Sequence, residues 1–92
     1  MADYVTYADA ALVSPFDPEH DDMLPNGARI IDRRKVGERW VWLCEREGCY
    51  QPYVTWISHE NTPYGTVCGN YFSRFTRAVT DFWERVTHEA SF

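Results

Sequence analysis

The sequence predicts an α+β fold. The expected form is an antiparallel β-meander of three to four strands packed against a C-terminal α-helix, with a short N-terminal helix. Three observations lead there. Residues 39–57, RWVWLCEREGCYQPYVTWI, place two apolar, aromatic-rich runs on either side of a short polar break, and hold three of the four tryptophans. Such a pattern signals a hairpin. Residues 74–89 carry apolar positions at helical spacing. Between and before them lie further β-prone runs bounded by glycine and proline.

The 92 residues form one domain, since a chain of this length holds a single core. Hydrophobic residues make up 45% and aromatics 16%, enough to bury a core with a stability on the order of 5 kcal/mol. Within it the expected organisation is an acidic helix and loop over 1–27, the meander over 28–72 and the helix over 73–90.

Residues 3–12 read DYVTYADAAL. Tyr4, Tyr7, Ala8, Ala11 and Leu12 fit one face of a helix that Asp3 can cap. The rival is a short strand over residues 4–8, because Tyr-Val-Thr-Tyr is β-prone. Residues 14–27 contain three prolines and the turn residues Pro25, Asn26 and Gly27, which predict a loop. Phe16, Met23 and Leu24 are expected to pin parts of it to the body.

A first strand is expected over 28–36, turning at Gly37 and Glu38. The hairpin follows, with Glu45, Arg46, Glu47 and Gly48 as its loop. Cys44 then pairs with Cys49, Trp42 with Gln51 and Trp40 with Tyr53. That register puts Val41, Leu43, Tyr50, Val54 and Trp56 on a core face toward the helix. Trp40, Trp42 and Tyr53 share the opposite face, which either the N-terminal segment or a partner must cover. Residues 66–72 form the fourth strand, where Gly69 marks a bulge or a close backbone approach. Ser73 is the expected helix cap. The helix stripe is Phe75, Ala78, Val79, Phe82, Val86 and Ala90, and Asp81 and Arg85 form an i, i+4 pair.

Charge is unevenly spread. Residues 1–27 hold six acidic and no Lys or Arg residues, a net of −6; residues 28–92 hold nine basic and eight acidic, a net of +1. No apolar run approaches the roughly 20 residues of a membrane span. The N-terminus lacks a basic start and apolar stretch, so a cytoplasmic protein without membrane contact is expected. The odd cysteine count does not form a disulfide framework.

The residue types present bear on several chemistries. Cys44, Cys49, His59 and Cys68 offer a small zinc- or thiol-dependent protein as a second alternative, but they lack the C-x2-C spacing of a zinc site and read first as small strand hydrophobes. Asp17, Glu19, Asp21 and Asp22 with His20 do not match a calcium loop, and read as a solvated charge run. No catalytic motif or glycine-rich phosphate loop is present, so no enzyme activity, cofactor or metal is expected. Arg29, Arg33, Arg34 and Lys35 offer an alternative nucleic-acid surface. The element order resembles the double-stranded RNA-binding fold, but that family's basic helix-start motif is missing: Arg74 and Arg77 stand isolated among Phe75, Thr76 and Ala78.

The main expectation is a protein-binding role through Asp17, Glu19, Asp21, Asp22, Trp40, Trp42 and Tyr53, with the protein a monomer or weak dimer. In size, acidity and lack of motif, the chain resembles the small inhibitor proteins that phages encode against host defences, anti-CRISPR proteins among them. That resemblance implies a partner with a basic, nucleic-acid-binding surface in the host cytosol.

Overall fold

A computed structural model describes residues 16–90; the expected N-terminal helix lies outside the described residues. Strands β1 (Arg29–Val36), β2 (Arg39–Glu45), β3 (Tyr53–His59) and β4 (Val67–Phe72) form one antiparallel sheet in the order β1-β2-β3-β4. Helix α1 (Phe75–Ala90) packs on one face of it. The α+β meander with a C-terminal helix is therefore the architecture of the described chain. No helix among the described residues is long and apolar enough to cross a membrane.

The β1–β2 turn is as short as expected. Val36 pairs with Arg39, and Gly37 takes a φ of 59°, which suits a residue without Cβ at the first turn position. The β2–β3 connection differs from expectation. Glu45 stays in the ladder opposite Tyr53, so the loop is residues 46–52. Cys44 pairs with Val54, Trp42 with Trp56 and Trp40 with Ser58. Pro52 has no N–H to give a ladder; its carbonyl instead accepts from the Arg46 N–H at 2.7 Å and closes the longer loop.

The partner of Cys44 thus moves by five positions, an odd number, and an odd shift exchanges the two faces of a strand. Val54 and Trp56 join Trp40, Trp42 and Cys44 on the face away from α1, with Leu24, Ala28, Ile30 and Phe16 packed there too. Val41 and Leu43 meet Ala78 and Phe82 of α1, flanked by Ile31, Tyr53 and Phe72. Tyr50, expected in the core, lies in the loop and is 94% exposed. The sheet is covered on both sides by its own chain, by α1 on one face and by residues 16–28 on the other.

Two bulges serve these layers. Ile30 pairs with Cys44 and Asp32 with Leu43, so Ile31 is the extra residue. The two isoleucines can then enter opposite cores. In the β3–β4 pair, Cys68 and Gly69 together oppose Trp56; Cys68 takes a φ of 58°. A Cβ on Gly69 would lie 2.7 Å from Trp56 Nε1 and 2.8 Å from the Tyr71 hydroxyl, which is the expected close approach. Gly69→Ala should cost about 1–3 kcal/mol because the buried Trp56 ring must shift. A urea midpoint equal to the wild type would show that the ring moves freely.

Helix α1 begins one residue later than expected. The Arg74 carbonyl accepts from the Ala78 N–H at 3.3 Å, so Arg74 rather than Ser73 holds the capping position. The middle of the expected stripe faces the sheet, with Ala78 and Phe82 fully buried and Val79 and Val86 partly so, whereas Phe75 and Ala90 at its two ends are exposed. Asp81 pairs with Arg85 Nε at 3.2 Å. It also accepts from the Thr55 hydroxyl and from Asn70 Nδ2, and Arg85 NH2 donates to the Cys68 carbonyl at 2.6 Å. This network ties the helix to β3 and to the bulge of β4.

Candidate functional site

The acidic residues Asp17, Glu19, Asp21 and Asp22 sit on an ordered turn. Asp17 organises it: its carboxylate accepts from the Glu19 N–H at 2.9 Å and meets His20 Nδ1 at 2.9 Å. Its own N–H donates to an Asp21 carboxylate oxygen at 3.0 Å, and its carbonyl accepts from the Asp21 N–H. The Glu19 bond first, and His20 second, hold the Asp17 carboxyl below its usual range. Such side chain-to-backbone bonds are how aspartate builds a turn without regular structure.

The turn is anchored to the sheet at several points. Phe16 packs against Trp42 with ring centroids 5.7 Å apart. Arg33 NH1 donates to the Pro18 carbonyl at 2.9 Å, and the Ile30 N–H donates to the Asp22 carbonyl at 2.8 Å. Met23 bridges Arg29, and Leu24 is buried, with its N–H donating to the Ala28 carbonyl. The result is a fixed acidic ledge beside β1. Glu19 and Asp22 are exposed. Among the described residues no Lys or Arg forms an ion pair with any of the four carboxylates; His20 is the one base that meets them.

The basic residues of the alternative surface are placed differently. Arg29 pairs with Glu45, which strengthens its hold on its proton. Lys35 pairs with Glu60 at 3.1 Å, and Arg34 meets Asp32 at 3.7 Å while lying 5.1 Å from the Trp83 ring. Arg33 is engaged with Pro18 and lies 6.0 Å from the Trp42 ring. Register sends Arg33 and Lys35, opposite Trp42 and Trp40, to one face, and Arg34, opposite Val41, to the other. The four cations do not share one patch. Their charge is spent inside the chain on an edge strand, where it also discourages pairing with other strands.

The aromatic part of the expected binding set requires correction. Trp40 and Trp42 are 6% and 0% exposed, stacked with centroids 5.2 Å apart under residues 16–28. The Trp42 indole N–H donates to the buried Ser58 hydroxyl at 2.9 Å. Both are core residues, because the chain's own loop covers the face that the sequence left open. Tyr53 is half-buried on the helix side, edge-on to Phe75 at 5.3 Å. The exposed aromatics are instead Tyr50, Tyr64, Tyr71, Phe75 and Trp83. Of these, Trp83 was legible from its place on the flank of the helix stripe; Phe75 was expected within that stripe, and Tyr50 and Tyr71 needed the register.

The cysteines are free, with Cys44 buried and Cys49 and Cys68 exposed. Cys44 and Cys49 are not cross-strand partners, because Cys44 faces Val54. The described residues contain no group of three or more His, Cys, Asp or Glu placed to hold a metal ion. Burial pushes the Cys44 thiol up to about 12, against the opposing charge of Arg33. Cys44 is therefore protonated and inert at neutral pH. Native protein should react with a thiol reagent at Cys49 and Cys68, and Cys44 should react only after denaturant is added. Reaction of all three in the native state would show that the Trp42 layer opens readily. Comparison of the chain with protein-family models, curated proteins and solved structures returns no match.

Proposed function

We propose that this protein is a small protein-binding module whose acidic ledge docks on a basic, nucleic-acid-binding surface of a partner, and thereby inhibits it. The observation that carries this reading is the charge asymmetry at β1. The cations there are matched by carboxylates or a carbonyl of the same chain, whereas Glu19, Asp21 and Asp22 form no ion pair with a Lys or Arg of the described residues. A carboxylate ledge held by a buried leucine and several backbone bonds is preorganised, so little ordering entropy is lost on docking. Clustered carboxylates speed encounter with a basic groove and compete there with phosphates. The resemblance to phage-encoded inhibitors supplies the partner class, a nucleic-acid-binding defence effector such as a CRISPR ribonucleoprotein. Nucleic-acid binding through Arg29, Arg33, Arg34 and Lys35 has less support, because each of them is already engaged.

The test is inhibition of DNA binding by a panel of CRISPR effector complexes, read by gel mobility, for wild type and for Glu19→Lys with Asp22→Lys. Those two side chains project from the ledge without building its turn. Inhibition by the wild type should weaken by roughly tenfold or more in the variant, and become less sensitive to salt. Equal inhibition by both proteins would remove the acidic ledge from the mechanism. No inhibition of any effector in the panel would reject this partner class.

A further inference from the structure

The nine basic side chains divide unevenly. Arg29, Arg34, Lys35, Arg39 and Arg85 meet carboxylates, and Arg33 meets the Pro18 carbonyl. The side chains of Arg46, Arg74 and Arg77 meet neither among the described residues, and these three gather at one end of the molecule. Arg74 and Arg77 line a cleft of about 460 Å³ together with Gln51, Tyr71, Ser73 and Thr76. Arg46 lies over the Tyr71 ring, 4.6 Å from its centroid, and its Nε is buried with no acceptor among the described residues. In a chain of net charge −5, two uncompensated cations lining one cleft, with a third stacked on its Tyr71, are a local reversal of sign.

We propose that this cleft binds a phosphate-bearing ligand. Arg74 and Arg77, three residues apart and sharing the cleft lining with Ser73 and Thr76, present more donors than a carboxylate's two oxygens can accept. The oxygens of a phosphate can take them together, and Arg pairs with phosphate in a bidentate way. The start of α1 adds to the same field. No acidic residue lies in its first turn, and Arg74 at the cap position has no side-chain acceptor for the first free N–H groups. Arg46 and Tyr71 form a stacked shelf on which the planar part of a nucleotide can lie. The cleft volume is within the range of about 300–1,000 Å³ of small-ligand sites. The residues involved are separate from the acidic ledge, so this site stands or falls independently of the proposed inhibitor role.

The experiment is a titration of the full chain followed by amide NMR, with inorganic phosphate, adenosine monophosphate and adenosine in separate arms. Inorganic phosphate should give saturable shifts confined to residues 46–51 and 71–78. Arg74→Gln and Arg77→Gln, both exposed positions that should leave the fold intact, should each weaken phosphate binding by roughly tenfold. Tighter binding of the monophosphate than of phosphate would identify a nucleotide as the source, and equal binding a free phosphate. Absence of saturable shifts with either phosphate compound, shifts unaltered by both variants, or adenosine binding as tightly as its monophosphate would each overturn the proposal.

Discussion

Trp42→Ala is expected to leave the protein largely unfolded under conditions where the wild type is folded. The Trp42 ring is fully buried, stacked on Trp40 and capped by Phe16. Removing a buried large aromatic costs about 3–5 kcal/mol through lost transfer energy and the cavity left behind. The Ser58 hydroxyl, 1% exposed at the residue level, also loses its indole donor. Against a total near the low end of about 5–15 kcal/mol, that loss consumes most of the stability. Urea unfolding followed by circular dichroism reads it. Trp42→Phe keeps most of the apolar volume and loses the N–H, so it should fall between, at roughly 1–2 kcal/mol. A midpoint for Trp42→Ala close to the wild type would show that residues 16–28 do not cover this face in solution.

Asp81→Ala should be the most damaging change at a polar position of the helix, at about 2–4 kcal/mol. The carboxylate accepts from Thr55, Asn70 and Arg85, and Thr55 is fully buried. The Arg85 side chain is 14% exposed, and its NH1 is already buried without a partner among the described residues. Loss of Asp81 would leave a largely buried guanidinium with only the Cys68 carbonyl. Partial exposure of the pair lowers the cost below that of a fully buried one. Asp81→Asn retains one acceptor oxygen and should recover part of the loss. A double-mutant cycle with Arg85→Met measures the coupling between the two. Independent, additive effects would mean that the network positions nothing. Helix α1 also holds Ala78 and Phe82 on Val41 and Leu43, so the same change should loosen hydrogen-exchange protection in β2 and β3.

What was legible follows from local pattern. Apolar, β-prone runs bounded by turn residues marked the strands, the 3.6-residue stripe marked α1 and its Asp81–Arg85 pair, and Gly37 with Glu38 marked the first turn. Gly69 was readable as a close approach because an isolated strand glycine has few other uses. The face of each β3 residue was not readable. In β2 both parities are apolar, with Trp40 and Trp42 on one and Val41 and Leu43 on the other. A strand buried on both sides gives no signal to choose a register. Only the loop length decides it, and the carbonyl of Pro52 pairing with Arg46 made that loop longer than its polar residues suggested.

The candidate site divides in the same way. The sequence by itself determined that the negative charge is concentrated before residue 28 and that the chain carries an excess of aromatics. Only the tertiary structure decided which charges remain open. Ion pairs such as Arg29 with Glu45 and Lys35 with Glu60 join residues far apart in the chain, so no local pattern announces them. Those long-range pairs neutralise the basic strand and leave the acidic ledge and the cleft at Arg74 and Arg77 uncompensated, while the packing of residues 16–28 on the sheet makes Trp40 and Trp42 the centre of the core. The reason is common to both outcomes: charge and exposure are properties of what packs against a residue, and packing is settled by register and loop placement rather than by the residue's own neighbours in sequence.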